Sequence, residues 1–197
     1  MKLLTTTVLC LALPSLAVAG QNRTTPSSPG SAKTETSAKT NTAAKESASD
    51  FVMEAAQGGM AEVEFGQLAS QKASNPKVKS FGAQMVSDHS KANDQLKALA
   101  SNKNITIPTD MAAEHKSKRD ELSGLSGEAF DRAYVDAMVA DHKKDVDEFK
   151  KQSTSNEDPD VRAFAKKTLP TLQQHLRLIE RIQKDMAAAP GAKRSSR

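Results

Sequence analysis

The sequence predicts an all-α fold, a bundle of four long helices, on three observations. Between residues 50 and 186 the apolar residues recur at helical spacing, strand-like alternation is nearly missing, and Pro and Gly sit where helices would begin or end. The first helix is expected from about Asp50 to Ala73. It is rich in small residues: Ala55, Ala56, Gly58, Gly59, Gly66, Ala69 and Ala73. Glycine inside a helix costs about 1 kcal/mol relative to alanine, so close approach of a neighbouring helix is the expected compensation. The second helix opens with Asn75 as N-cap and Pro76 at the first helical position, and continues to about Ser101. The third opens at Ser126, carries Glu128 and Asp131 in its first turn, and reaches about Ser153. The fourth repeats the cap-plus-proline device with Asp158 and Pro159 and ends near Met186, with Pro170 expected to kink it.

About 25 residues join the second and third helices. Within them "TDMAAEHKSKRDELSG" reads as a short surface helix, capped by Asp110 and stopped by Gly124. Four long helices with one long middle connection are the pattern of a ferritin-like four-helix bundle. The connection is long enough to cross the bundle, since even a helical residue advances ~1.5 Å. In that topology the second and third helices run parallel.

The flanks read differently. Residues 1–19 have the make-up of an export signal: Lys2, a short apolar run from Leu3 to Leu13, and the small-residue cleavage site Ala17-Val18-Ala19. That run is too short to span a bilayer, and no later stretch is long and apolar enough. The expected location is therefore outside the cytoplasm, in the periplasm or against the outer envelope. Cys10 is the only cysteine and lies in this leader; the preceding Thr7-Val8-Leu9 lacks the small residue of a lipid-anchor signal. Cleavage leaves neither disulfides nor thiolate ligands. Residues 20–49, dominated by Ser, Thr, Ala and Lys, are expected to be a disordered tether, and 187–197 a disordered basic tail. The 28 basic and 24 acidic residues give +4, and loss of Lys2 with the leader leaves 28 − 1 = 27, or +3. So mild an excess, with one Tyr and no Trp, argues against a nucleic-acid partner and leaves an unidentified envelope protein as the partner class.

One phrase is written twice. Residues 85–97 are "MVSDHSKANDQLK" and 138–150 are "MVADHKKDVDEFK", identical at seven positions. On the second helix the apolar stripe Val78, Phe81, Met85, Ala92, Leu96, Leu99 has a central gap filled by His89. On the third, Phe130, Tyr134, Met138, Val146, Phe149 leaves a gap at His142. Periodicity alone turns both imidazoles inward. His175 sits at the edge of the fourth helix's stripe, and Glu62 falls on the small-residue line of the first. Counted along the helices, the four lie within roughly 7 Å of one another in height.

A buried Glu with two or three His is a donor set for a divalent transition metal such as Fe, Zn or Cu. Asp88 and Asp141, each beside a His, would orient the rings or act as ligands themselves. Met85 and Met138, one turn earlier, suit copper but are commoner as core filler. The competing reading is a buried His/Glu polar network that sets register with no cofactor, in a structural or interaction module. His115, on the surface helix, is assigned nothing. No nucleophile, phosphate loop or exposed Asp-His-Ser set supports an enzyme.

The stretches "FVMEAAQGGMAEVEFGQLA", "VKSFGAQMVSDHSKANDQLKALA", "LSGEAFDRAYVDAMVADH" and "LPTLQQHL" resemble a family of exported bacterial proteins of unknown function. That family is often labelled predicted outer membrane proteins, and the match covers about residues 50–186. The resemblance implies a ferritin-like domain in the envelope, and an envelope-stress role is the expectation for it. It implies no activity. Ferritin-like di-iron enzymes carry Glu-x-x-His on two helices. Here Val86, Val139 and Leu172 stand three before His89, His142 and His175, which argues against a di-iron centre.

Overall fold

A computed structural model describes residues 36–188, with side chains from Ala48 onward. The expected leader with Cys10, the tether up to residue 35 and the tail from 189 lie outside the described residues. Five helices are present: α1 (Thr36–Lys72), α2 (Pro76–Asn102), α3 (Ala113–Ser123), α4 (Gly127–Ser155) and α5 (Pro159–Ala188). The described residues contain no strand. None of these helices is long and apolar enough to cross a membrane.

The helix starts follow local chemistry. Asn75 caps α2, its Oδ1 accepting from Lys77 N at 2.9 Å, with Pro76 following. Asp158 caps α5 in the same way, accepting from Asp160 N at 2.9 Å and Val161 N at 3.1 Å. Three expectations are corrected. Helix α1 begins at Thr36, not near Asp50, so 36–49 continue the helix where a tether was expected. That stretch lacks Gly and Pro and extends an existing helix without a new nucleation cost, and Ala48 is already buried. Asp110 does not cap α3. Its N-cap is Ala112, with no side-chain bond, while Asp110 accepts from Met111 N and pairs with Lys116. Asp131 is no exposed first-turn charge. It is 2% exposed and accepts from Ser74 N at 3.1 Å, Asn75 N at 2.9 Å and the Ser74 hydroxyl, tying the α1–α2 turn to α4. Helix α5 runs through Pro170 as one continuous element.

The long helices pair as α1 with α2 and α4 with α5, and the pairs meet through α2–α5 and α1–α4. Two polar contacts fix direction. Asp131 brings the start of α4 to the start of α2. Lys103, just past α2, pairs with Asp158 at 2.7 Å and Asp160 at 2.8 Å at the start of α5. Hence α2 and α4 run parallel, and the 103–126 connection returns along the bundle. Met111 and Leu122 anchor that connection in the core, and α3 lies against α1 and α4.

The small residues of α1 act unequally. A Cβ at Gly66 would lie 2.7 Å from Gly82 O, and one at Gly82 2.6 Å from the Ala69 Cβ, so α1 and α2 cross here backbone to backbone. Gly59 faces only the Asn93 side chain, and Gly58 has nothing within 4 Å. We therefore expect Gly82→Ala to destabilise the protein by about 1–3 kcal/mol through overpacking. Gly58→Ala should stabilise it by about 0.5–1 kcal/mol through reduced backbone freedom. Urea midpoints moving the same way in both variants would refute this assignment. Asp131→Ala should cost about 1–3 kcal/mol by orphaning the donors of the turn; an unchanged urea midpoint would sink that role.

Candidate metal centre

The core is divided in two. One apolar cluster holds Phe65, Phe81, Met85, Tyr134, Met138 and Ile179; the other holds Phe51, Val52, Leu96, Phe149, Phe164 and Leu172. On every long helix the residue between the clusters is polar: Glu62 on α1, His89 on α2, His142 on α4 and His175 on α5. All four are at most 5% exposed. His175, expected at the edge of its stripe, is fully buried.

The three imidazoles form a triangle with ring centroids 5.3, 5.5 and 5.8 Å apart, and Phe81 lies edge-on to His142 and His175. One nitrogen of each ring faces an acceptor. His89 Nδ1 lies 2.7 Å from Glu62 Oε2, His142 Nδ1 lies 3.0 Å from the Met138 carbonyl, and His175 Nε2 lies 3.0 Å from Asp88 Oδ2. The opposite nitrogens, His89 Nε2, His142 Nε2 and His175 Nδ1, are buried with no hydrogen-bond partner. So is Glu62 Oε1, 3.5 Å from His142 Nε2. The donor atoms that the three histidines offer lie within 4.8 Å of one another.

Asp88 therefore does orient a ring, but that of His175 on α5, not its neighbour His89. Asp141 makes no hydrogen bond to the three rings and lines a groove on the α1–α3–α4 side. Met85 and Met138 are fully buried members of the first apolar cluster, and Met138 serves through its backbone carbonyl. The sequence reading missed Asp145. With Glu62 and His142 it forms a second set of donors within 4.8 Å. The available signal was its place three residues after His142 on one helix face, where the first copy of the phrase has Ala92.

Burial dominates the protonation of this layer. It pushes Glu62 up to about 8, assisted by the charge of Asp141, and raises Asp145 well above the carboxylate range, assisted by Glu62. It pushes His89 down to about 4 and His142 down to about 3, the latter assisted by the other two imidazoles. His175 is also lowered by burial, although Asp88 opposes the shift. Burial works against the Asp88 carboxylate, yet hydrogen bonds from His175 and Gln84 hold it below its usual range. At neutral pH the metal-free layer thus has uncharged imidazoles, and burial favours the protonated form of Glu62.

The comparisons with known proteins agree with this architecture. The model of a family described as a domain of unknown function (DUF4142) matches residues 33–182. The chain belongs to the DUF4142 family. No curated protein matches the chain significantly. Among solved structures, a DUF305 fragment from Deinococcus radiodurans is 16% identical with a TM-score of 0.62, covering 70% of this chain and 95% of that one. CopM in its Cu(II)-bound form is 16% identical with a TM-score of 0.60, covering 70% and 96%. A DUF305 protein from Streptomyces coelicolor is 13% identical with a TM-score of 0.60, covering 72% and 94%. At these identities the likeness establishes a shared helical-bundle fold.

The layer sets the pH response of the metal-free protein. His89 and His142 titrate lower when folded, so their stabilisation is lost as pH falls from about 6.5 towards 3–4. Glu62 titrates higher when folded, so its contribution is lost as pH rises from 4.5 through about 8. Between pH 4.5 and 6.5 the two effects oppose and the two histidines outweigh the one carboxyl; above 6.5 only the Glu62 loss continues, and below 4.5 only the histidine loss. Stability of metal-free protein from urea denaturation should be highest near pH 6.5, lower by on the order of 2 kcal/mol at pH 8.5, and lower by more than that at pH 3.5. A midpoint that keeps rising to pH 8.5 would contradict this.

Proposed function

We propose that this DUF4142 protein binds a single divalent transition-metal ion at the middle of its bundle, through His89 Nε2, His142 Nε2 and His175 Nδ1, with Glu62 as the fourth ligand. The observation that carries the reading is the convergence of orphaned donors from four helices. A purely structural polar network gains by satisfying its members, and leaving three imidazole nitrogens and a carboxylate oxygen unpaired in one apolar layer is costly. The outward-facing nitrogens, by contrast, all have acceptors, the arrangement that fixes tautomer and ring orientation in histidine metal sites.

The fit is close in size. Three atoms within 4.8 Å of one another can all be reached from a point within about 2.8 Å of each, against about 2.0–2.1 Å for a metal–imidazole bond. Small side-chain movements bring the rings into range. Borderline imidazole donors with one carboxylate suit Zn, Cu or Fe. The neighbour solved in a Cu(II)-bound form supports trying copper first, as an analogy of fold. When bound, the ion supplies a fixed positive charge and Lewis acidity; the chain supplies orientation through Asp88, Glu62 and the Met138 carbonyl, and a dry surrounding from Phe81 and the methionines. The export-signal make-up of residues 1–19 supports the envelope as the site of this duty, and metal handling under envelope stress is the role we assign.

Elemental analysis of untagged protein purified from its native compartment should find about one equivalent of a transition metal. His142→Ala should abolish retention while circular dichroism still reports a helical bundle, and Asp88→Asn should weaken binding about 10–100-fold. Protein that stays metal-free after adding Zn(II), Cu(II) or Fe(II), with His142→Ala changing only stability, would return the layer to a packing role.

A further inference from the structure

The groove that Asp141 lines is strongly acidic. Its walls carry Glu54, Glu62, Glu114, Glu121, Asp136 and Asp145 besides Asp141, against Lys118, Lys144 and the half-buried His115. Its inner end is the second donor set. Glu62, His142 and Asp145 each offer an atom within 4.8 Å of the others, and Glu62 Oε1 and His142 Nε2 are buried without a partner. Glu62 is 5% exposed and His142 fully buried, so neither finds its missing partner in solvent. A smaller cleft between α1, α2, α4 and α5 also reaches Glu62, Asp145 and His89, and Glu148 lines it, but its walls are mainly apolar, with Phe51, Leu96, Phe149, Phe164 and Leu172. A hydrated cation is drawn to the first and resisted by the second.

His142 belongs to both donor sets. With Nδ1–H directed to the Met138 carbonyl, its Nε2 has one lone pair and serves one ion at a time. The two sets are therefore alternative stations for one ion and not a dinuclear centre. We propose that the α1–α3–α4 groove is the loading route for the divalent ion, and that Asp145 and Glu62 form a transfer station that hands it to His89 and His175, with His142 holding it throughout. This rests on the three-histidine reading above. In the exchange the ion keeps His142 and Glu62, loses the Asp145 oxygen, and gains two imidazole nitrogens. Asp145 therefore governs how fast the site fills and not how tightly it holds.

The test uses Co(II), whose visible bands report four-coordinate histidine ligation, mixed with metal-free full-length protein in a stopped-flow instrument. Affinity is measured separately by competition with a chelator. Asp145→Asn should load about ten-fold or more slowly, with final affinity within about three-fold of the parent. Ala140→Leu fills the exposed wall of this groove at a position the smaller cleft does not touch, and should fold normally yet also load slowly. Equal loading rates in parent and both variants would overturn the route. Loss of affinity in step with rate for Asp145→Asn would make Asp145 a permanent ligand and overturn the transfer role. A parent protein that takes up no Co(II), Zn(II) or Cu(II) would remove the three-histidine reading and the route with it.

Discussion

The constraint on which the rest of this bundle depends is the polar layer between its two apolar cores. Placing a carboxyl and three imidazoles at mid-height costs desolvation on all four long helices, and only part of it returns as hydrogen bonds. The layer also specifies alignment. A shift of any helix by one turn would bring Glu62, His89, His142 or His175 into contact with Phe65, Leu96, Phe149 or Ile179, burying it with no partner at all. Apolar packing alone would tolerate such slips far better, since both clusters offer similar aromatic and aliphatic surfaces.

The crossover connection is what makes the repeated Asp-His phrase effective. Parallel α2 and α4 present their copies at one height, so His89 and His142 meet edge to face, 5.8 Å between centroids. In an up-down arrangement the two phrases would run in opposite senses, and their flanking acids would fall at opposite ends. Here the acids take separate duties: Asp88 crosses to His175, while Asp141 opens toward the groove. Asp131 and Lys103 secure the two ends of this arrangement, one at each turn of the bundle.

Much of this was readable from residue spacing. Gaps in apolar stripes turned His89 and His142 inward, and counting along helices put Glu62 and His175 at the same level. What spacing cannot supply is the pairing of atoms between helices. Asp88 sits beside His89 in sequence, but successive helical positions point about 100° apart, so its partner comes from α5. Asp131 looked like a first-turn charge because the turn it caps lies 56 and 57 residues away. Asp145 stands where the first copy of the phrase has Ala92, and this departure from the copy marks the side on which the layer meets the groove. The start of α1 was misjudged because a Ser/Thr/Ala/Lys run has no apolar stripe to show, although nothing in it breaks a helix that already exists.

The charge balance of the layer explains why the fold's shape alone is a poor guide to its chemistry. An oxygen-activating pair of irons in a ferritin-like bundle is held by four carboxylates and two histidines. This layer inverts the ratio, with three imidazoles and Glu62, and Asp145 on one side. Glu62 would supply one compensating charge to a divalent ion held in this apolar interior, and a second ion would leave far more positive charge uncompensated there. In the metal-free state burial favours a protonated Glu62 and an uncharged His89, so that layer is near neutrality. Donors already gathered at one height would need little rearrangement to hold a single ion, which is why the proposed site is mononuclear.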